Sequence, residues 1–127
     1  MRSPELSSFL HLIKTGDSQE ESMSTPHFPA VGHVYEANFG RWVHHLHFES
    51  ETVMTLTNVE GPFTGTSETV QIAVTPIRQG IFLICWQEAD KTTVVHVEDF
   101  ENGIVHTNVT EPRGVFIRRR GTLKKVQ

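Results

Sequence analysis

Two apolar, β-branched runs joined by a short polar turn constrain the fold of this chain more than any other feature. The runs cover residues 81–88 and 92–99, with Ala89-Asp90-Lys91 between them. Because successive side chains of a strand point to opposite faces, the register of such a hairpin decides which polar groups share a face. Both runs also carry acids, a tryptophan or a histidine, which a purely structural hairpin would not need. The pattern predicts a small barrel with a polar-lined cavity.

The rest of the chain from Val31 onward continues this strand pattern. We predict eight strands, at residues 31–37, 42–49, 52–57, 66–74, 81–88, 92–99, 103–110 and 115–124. Asn102-Gly103 is the strongest hairpin signal, because a type I′ turn needs positive φ at both central residues. Short meandering strands with no helix between them favour an all-β, eight-stranded, antiparallel up-and-down barrel, which also removes exposed sheet edges.

Length and composition narrow the class of protein. The 127 residues suffice for one domain, which we place at residues 29–127. Residues 1–28 are predicted to be a flexible extension, in which Leu6, Phe9, Leu10 and Ile13 have the spacing of a short helix.

Charge and cysteine content limit which partners and which cellular compartment are expected. A net charge of −4 argues against nucleic-acid binding. No apolar run is long enough for a membrane span, and no signal-peptide core is present. Cys85 is the one cysteine, which fits a reducing compartment, so a cytoplasmic protein is expected.

Turn length then predicts which side chains face inward. We assume two-residue turns at Asp90-Lys91, Asn102-Gly103 and Arg113-Gly114, which sort the four C-terminal strands into two faces. A three-residue turn at any of these hairpins would reverse part of this assignment, and Lys91 is a poor occupant of a type I′ turn. The first face collects Phe82, Ile84, Trp86, Glu88, Val95, Val97, Asp99, His106, Asn108, Ile117 and Arg119. The second collects Cys85, Gln87, Val94, His96, Glu98, Val105, Val109, Phe116, Arg118 and Arg120. Two arginines on one face are easier to solvate outside, so we predict that the first face lines the interior.

The N-terminal hairpin is treated in the same way. With Phe39-Gly40 as its turn, one face holds Tyr35, Ala37, Trp42, His44, Leu46 and Phe48. This face is the more apolar, so Tyr35 and His44 are predicted to be polar groups in the cavity. His45 and His47 share the opposite, outer face without a third ligand, so neither a metal site nor a cofactor is predicted.

Several motifs resemble the MoaF-like domain family. They are Gly32-His33-Val34-Tyr35, Glu68-Thr69-Val70, Cys85 to Asp90, Val95 to Phe100, Asn102-Gly103, Thr107-Asn108 and Arg120 to Leu123, and the resemblance covers about Phe28 to Lys124. It implies a lipocalin-like (calycin) barrel. The family name comes from a gene linked to molybdenum-cofactor biosynthesis, which implies a non-catalytic accessory role as one alternative. A more distant similarity to phenolic acid decarboxylases aligns Glu88 with their catalytic acid and Tyr35 with the first of their paired tyrosines, but Ala37 stands at the second.

The leading hypothesis is a barrel that binds a small organic metabolite. Its predicted ligand-binding residues are Tyr35, His44, Trp86, Asn108 and Arg119. The alternative is a lyase, isomerase or cyclase with Glu88 as a desolvated general acid, or His106 as a base oriented by Asp99. Dimerisation through an outer sheet face is a further prediction, because Val94, Val105, Val109 and Phe116 would lie there uncovered.

Overall fold

The computed structural model describes residues 26–127, which form a closed barrel of eight antiparallel strands. The strands are β1 (Val34–Asn38), β2 (Val43–Phe48), β3 (Val53–Glu60), β4 (Ser67–Arg78), β5 (Ile81–Gln87), β6 (Thr93–Asp99), β7 (Ile104–Thr110) and β8 (Phe116–Lys125). Each strand pairs with the next, and β1 pairs with β8 to close the ring. The predicted up-and-down barrel is therefore confirmed. The predicted helix around Leu6 to Ile13 lies outside the described residues.

The lower end of the barrel, where β5 and β7 begin, is a packed aromatic core. Phe28 reaches into it from before β1, and its ring meets those of Phe48, Phe82 and Phe100 edge to face at centroid distances of 5.1–5.7 Å. Edge-to-face packing is a favoured geometry for aromatic rings. Phe48 and Phe82 have no exposed surface, so this end of the barrel is closed.

The turn between β5 and β6 is one residue longer than predicted. The Glu88 N–H donates to the Thr92 carbonyl at 2.8 Å, so three residues, Ala89 to Lys91, form the loop. Lys91 ends it with a φ of 78°, the left-handed conformation that closes a three-residue hairpin loop. Trp86 consequently pairs with Val94 instead of Val95, and the face of β6 is the reverse of the prediction.

The turn between β7 and β8 has the same form. Glu111 and Val115 are bonded across Pro112, Arg113 and Gly114, and Gly114 has a φ of 89°. This second one-residue difference cancels the first. The predicted inward faces of β5 and β8 are therefore correct, whereas those of β6 and β7 are inverted.

The Asn102-Gly103 turn differs from the predicted type. The pairing shifts by two residues, so the same side chains of β6 and β7 still share a face. Asp99 pairs with Ile104 across a four-residue loop, and only Gly103 has a positive φ. The Asp99 carboxylate accepts hydrogen bonds from the backbone N–H groups of Glu101 and Asn102 and from the Asn102 amide, so it organises this loop. The predicted pairing of Asp99 with His106 was wrong.

The inversion also removes the predicted apolar outer face. Val94 and Val105 are buried inside the barrel, and Val109 is half-buried against the interior. Of the four residues proposed for a dimer surface, Phe116 alone is exposed, at 60% of its surface. Within residues 26–127 there is no helix that could cross a membrane.

Replacing Lys91 with glycine tests the conformation of the β5–β6 turn. A side chain in the left-handed region costs about 1 kcal/mol, so we expect Lys91→Gly to raise the free energy of unfolding by about this amount in urea titrations. Lys91→Ala keeps the same backbone conflict and serves as the control, with a change within about 0.5 kcal/mol. A Lys91→Gly variant no more stable than Lys91→Ala would contradict the assigned turn.

Candidate functional site

A cavity of about 570 Å³ occupies the upper half of the barrel, at the end formed by the loops 39–42, 61–66, 88–92 and 111–115. Its size lies within the range of about 300–1,000 Å³ that is typical of small-molecule sites. The apolar part of its wall consists of Phe39, Trp42, Leu46, Leu56, Phe63, Trp86, Val94, Val109 and Ile117. An eight-stranded barrel is just wide enough to be filled by its own side chains or to hold one small ligand, and here the upper half is not filled.

The most deeply buried polar groups of the barrel are an imidazole and a carboxylate on β6. His96 Nδ1 lies 2.8 Å from Glu98 Oε2, and the two side chains are 4% and 0% exposed. They are two residues apart on one strand, so both point inward. Because Nδ1 is engaged by the carboxylate, Nε2 is the ring nitrogen of His96 that remains without a hydrogen-bond partner among the described residues.

Aromatic rings hold this imidazole in place. The Trp86 ring meets the His96 ring edge to face at 4.8 Å, and the Phe39 ring meets it at 6.2 Å. Glu98 Oε1 has no hydrogen-bond partner among residues 26–127. A buried carboxylate oxygen without a partner is costly, so this pair is unlike a purely structural contact. Burial and, to a smaller extent, the charge of Glu98 raise the pKa of Tyr35.

Glu88 lies on the other side of Trp86. The Trp86 Nε1–H donates to Glu88 Oε2 at 3.1 Å. Burial raises the pKa of Glu88 above its ordinary value, this hydrogen bond opposes the shift, and the neighbouring carboxylates of Glu68 and Asp90 add to it. Glu88 is therefore a carboxyl group that holds its proton more readily than an exposed glutamate.

His44 supplies a second imidazole in the cavity wall. Its Nδ1 lies 2.7 Å from Asn58 Oδ1 on the neighbouring strand β3. Burial lowers the pKa of His44, the bond to Asn58 opposes the shift, and His96 lowers the pKa further. The neutral form of this imidazole is thus favoured.

Five of the eight predicted site residues lie on faces that point inward as predicted. His44, Trp86 and Glu88 line the cavity. Tyr35 is on the inner face but lies beneath the cavity, where its ring packs against Phe100 at 5.0 Å. Arg119 is on the predicted face yet remains exposed, with its guanidinium carbon 5.1 Å from the centre of the Trp42 ring.

Three other predicted site residues lie on the outer surface. His106 is exposed opposite Arg120, and Asn108 Oδ1 accepts a hydrogen bond from Arg118 Nε at 3.0 Å. Asp99 caps its loop, and its bonds to Asn102 and Glu101 hold its pKa below the usual value. Their placement in the cavity was wrong, because the longer turns reversed β6 and β7.

His96 and Glu98 were missed for the same reason, although a signal for them exists in the sequence. Gly114 ends the segment Pro112-Arg113-Gly114, and glycine in the third position is typical of a three-residue hairpin loop. With that turn, Arg118 shares the outer face with Asn108, and the face of His96 turns inward. Lys91 gives no corresponding signal, since lysine is not typical of the left-handed position.

His45 of β2 lies outside the cavity and pairs with a carboxylate. His45 Nε2 lies 3.1 Å from Glu36 Oε1, where the two strands β1 and β2 pair. In the part of the chain from residue 26 onward, no three His, Cys, Asp or Glu side chains converge to hold a metal ion.

Fold and cavity together define a barrel with an open-ended, partly polar interior. The family model described as MoaF-like matches residues 31–124, and the chain belongs to this family. A crystal structure described as "a putative beta-lactamase from Burkholderia vietnamiensis" is similar, with 29% sequence identity and a TM-score of 0.75; the match covers 80% of this chain and 100% of that one. None of the curated proteins matches.

Replacing Glu88 with glutamine tests the environment of this carboxyl group. Because the pKa is raised in the folded state, the folded protein binds this proton more tightly than the unfolded chain, and stability falls as pH rises above the ordinary value of 4.5. Glu88→Gln cannot ionise and still accepts the Trp86 hydrogen bond. We expect its Tm to exceed that of the wild type at about pH 8, with the difference vanishing at about pH 4.

Glu51→Gln is the control for the Glu88 measurement. Glu51 is exposed in the turn between β2 and β3, so the Tm of Glu51→Gln should equal that of the wild type at every pH in this range. A Glu88→Gln variant that loses stability at about pH 8 would show that the carboxylate is favourably solvated or paired there.

Proposed function

We propose that this MoaF-like barrel binds a small organic molecule, with an aromatic or apolar body, in its upper cavity. The observation that carries the proposal is the cavity of about 570 Å³, bounded by aromatic rings and by inward-pointing polar groups. Native interiors are close-packed, so a volume of this size in a small barrel calls for an occupant. The packed aromatic base shows that the same barrel can fill its interior where nothing is to be bound.

The polar groups support a specific orientation of that molecule. Glu88 and His96 lie on the two sides of Trp86, and His44 lies on the opposite part of the wall. Each of these groups has a further hydrogen-bonding atom that is not engaged by the contacts described above. A few convergent polar groups in a mostly apolar cavity are the usual arrangement that fixes a ligand.

Native mass spectrometry of freshly purified protein, followed by denaturing analysis of released molecules, tests this proposal. Both tryptophans of the chain, Trp42 and Trp86, line the cavity, so indole fluorescence reports directly on ligand binding there. A retained or added aromatic compound should quench this emission saturably. A clean apo mass and no response to neutral, anionic and cationic aromatic compounds would contradict the proposal.

Filling the cavity separates specific binding from surface adsorption. Thr107 is buried and lines the cavity, so Thr107→Phe should lower the affinity for any bound compound by about tenfold or more. Thr75→Phe adds the same ring at an exposed position of β4 and is the matched control. Equal binding by the two variants would place the compound elsewhere on the protein.

A second candidate function is proton transfer in the same cavity, as in an isomerase or lyase. The His96–Glu98 pair favours it, because a carboxylate that fixes an imidazole through Nδ1 leaves Nε2 free to act as a base. His96 Nε2 would take a proton from carbon beside a carbonyl group while Glu88 donates its proton to the carbonyl oxygen. His96 thus takes the role that the sequence had suggested for His106.

Deuterium uptake distinguishes the enzyme from the binder. We expect an enzyme to exchange carbon-bound hydrogen of a carbonyl compound for deuterium in D₂O, as followed by NMR across a panel of such compounds. His96→Gln should then abolish exchange while ligand binding, measured by indole fluorescence, is retained. Exchange that persists in His96→Gln would exclude this histidine as the base.

The name of the Burkholderia protein raises lactam hydrolysis, for which the cavity offers little support. Serine β-lactamases pair a nucleophilic serine with a lysine, but the cavity lining includes Ser67 and no lysine. The Ser67 hydroxyl is also engaged with Thr57 Oγ1 at 2.8 Å. An accessory role in cofactor biosynthesis, a homodimer and a cytoplasmic location remain predictions from the sequence.

A further inference from the structure

The charged groups around the cavity are strongly unbalanced. Five carboxylates line it, and one guanidinium, that of Arg113, accompanies them; the carboxylates belong to Glu60, Glu68, Glu88, Asp90 and Glu111. The formal charge of the lining is therefore −4, as large as the net charge of the whole chain. A concave surface with walls of low dielectric constant focuses such a field.

None of these carboxylates forms an ion pair with a basic side chain within residues 26–127. Across residues 26–127 the ion pairs are Glu36 with His45 and Glu98 with His96, and neither includes a carboxylate of the cavity lining. Glu68 and Asp90 lie close enough to Glu88 that their charges disfavour its ionised form. Like charges held together are unfavourable for folding, so a binding role explains their arrangement better than stability does.

The polar groups deeper in the cavity are suited to a donor. His96 lines the cavity and is 3% exposed, and its Nε2 has no hydrogen-bond partner in the described part of the chain. Burial lowers the pKa of His44 and favours its neutral form, so this imidazole offers a lone pair. These imidazoles stand independently of the acidic rim, and they point to the same kind of ligand.

The aromatic wall completes a setting for positive charge. The face of an indole attracts cations, and the Trp42 ring already has the Arg119 guanidinium carbon 5.1 Å from its centre. Trp86 lines the cavity between Glu88 and His96. A cation beside Trp86 would therefore meet a carboxylate, a ring face and an imidazole acceptor together.

We propose that the ligand of this cavity is an organic cation, an ammonium or amidinium group on an aromatic or apolar body. The charged group lies against Glu68, Glu88 and Asp90, and the body lies against Trp42, Trp86 and Leu56. This inference rests on the proposed binding function and specifies its ligand class.

Three nearly isosteric compounds test the charge of the ligand: benzylamine, benzyl alcohol and benzoate, which are cationic, neutral and anionic near neutral pH. The readout is the pair of indole N–H signals in a ¹H–¹⁵N NMR spectrum, because both tryptophans line the cavity. We expect saturable shifts with benzylamine at a Kd about tenfold or more below that of benzyl alcohol, weaker binding of benzoate, and loss of the difference at high salt.

Charge-removing variants locate the cation. Glu68→Gln keeps the acceptor for the Ala89 N–H, which Glu68 binds at 2.6 Å, and should raise the Kd for benzylamine about threefold to fivefold. The double variant Glu68→Gln with Glu88→Gln should raise it about tenfold. Glu51→Gln, an equal charge change outside the cavity, should leave it unchanged. The same spectra show whether each variant remains folded.

The outcomes separate this inference from the proposed function. Tighter binding of benzoate than of benzylamine, or an unchanged Kd in the double variant, would overturn the cation while leaving a binding cavity. No shift of either indole signal with any of the three compounds would overturn both.

Discussion

The number of residues in two turns determines what this barrel can hold. A strand alternates its faces at every residue, so one additional turn residue exchanges the interior and exterior of the strand that follows. Lys91 and Gly114 each end a three-residue loop in the left-handed conformation. Between those turns lie β6 and β7, and this pair of loops places His96 and Glu98 inside and His106 outside.

The interior is consequently divided along the barrel axis. Large aromatic side chains fill the lower end, with Phe28 inserted among strands to which it does not belong. The upper end keeps its volume and carries the ionisable groups. Burial shifts two of these groups in opposite directions, raising the pKa of Glu88 and lowering that of His44. Both shifts have the same cause, the cost of holding a charge inside an apolar enclosure.

The sequence predicts the architecture well because the signals for it are redundant. Eight alternating runs and their intervening turns specify the barrel, and errors of up to four residues at a strand end, as at the end of β4, do not alter it. The cavity is less predictable because the residues that line it depend on whether each turn has an even or an odd number of residues. His44, Trp86 and Glu88 are placed correctly, since β2 and β5 have inward faces set by their own apolar patterns. His96 and Glu98 depend on the loop that Lys91 closes, and a lysine in that conformation leaves no recognisable trace in the sequence.

The seam between β1 and β8 leaves part of one strand edge uncovered. β1 ends at Asn38, which pairs with Thr122, whereas β8 begins six residues earlier at Phe116. In the described residues, the upper part of β8 thus has β7 on one side and no strand on the other. An uncovered strand edge is a template for pairing with another chain, and charged side chains hinder such pairing. The run Arg118-Arg119-Arg120 lies along this stretch, so its positive charges can hinder the pairing of another chain with this edge.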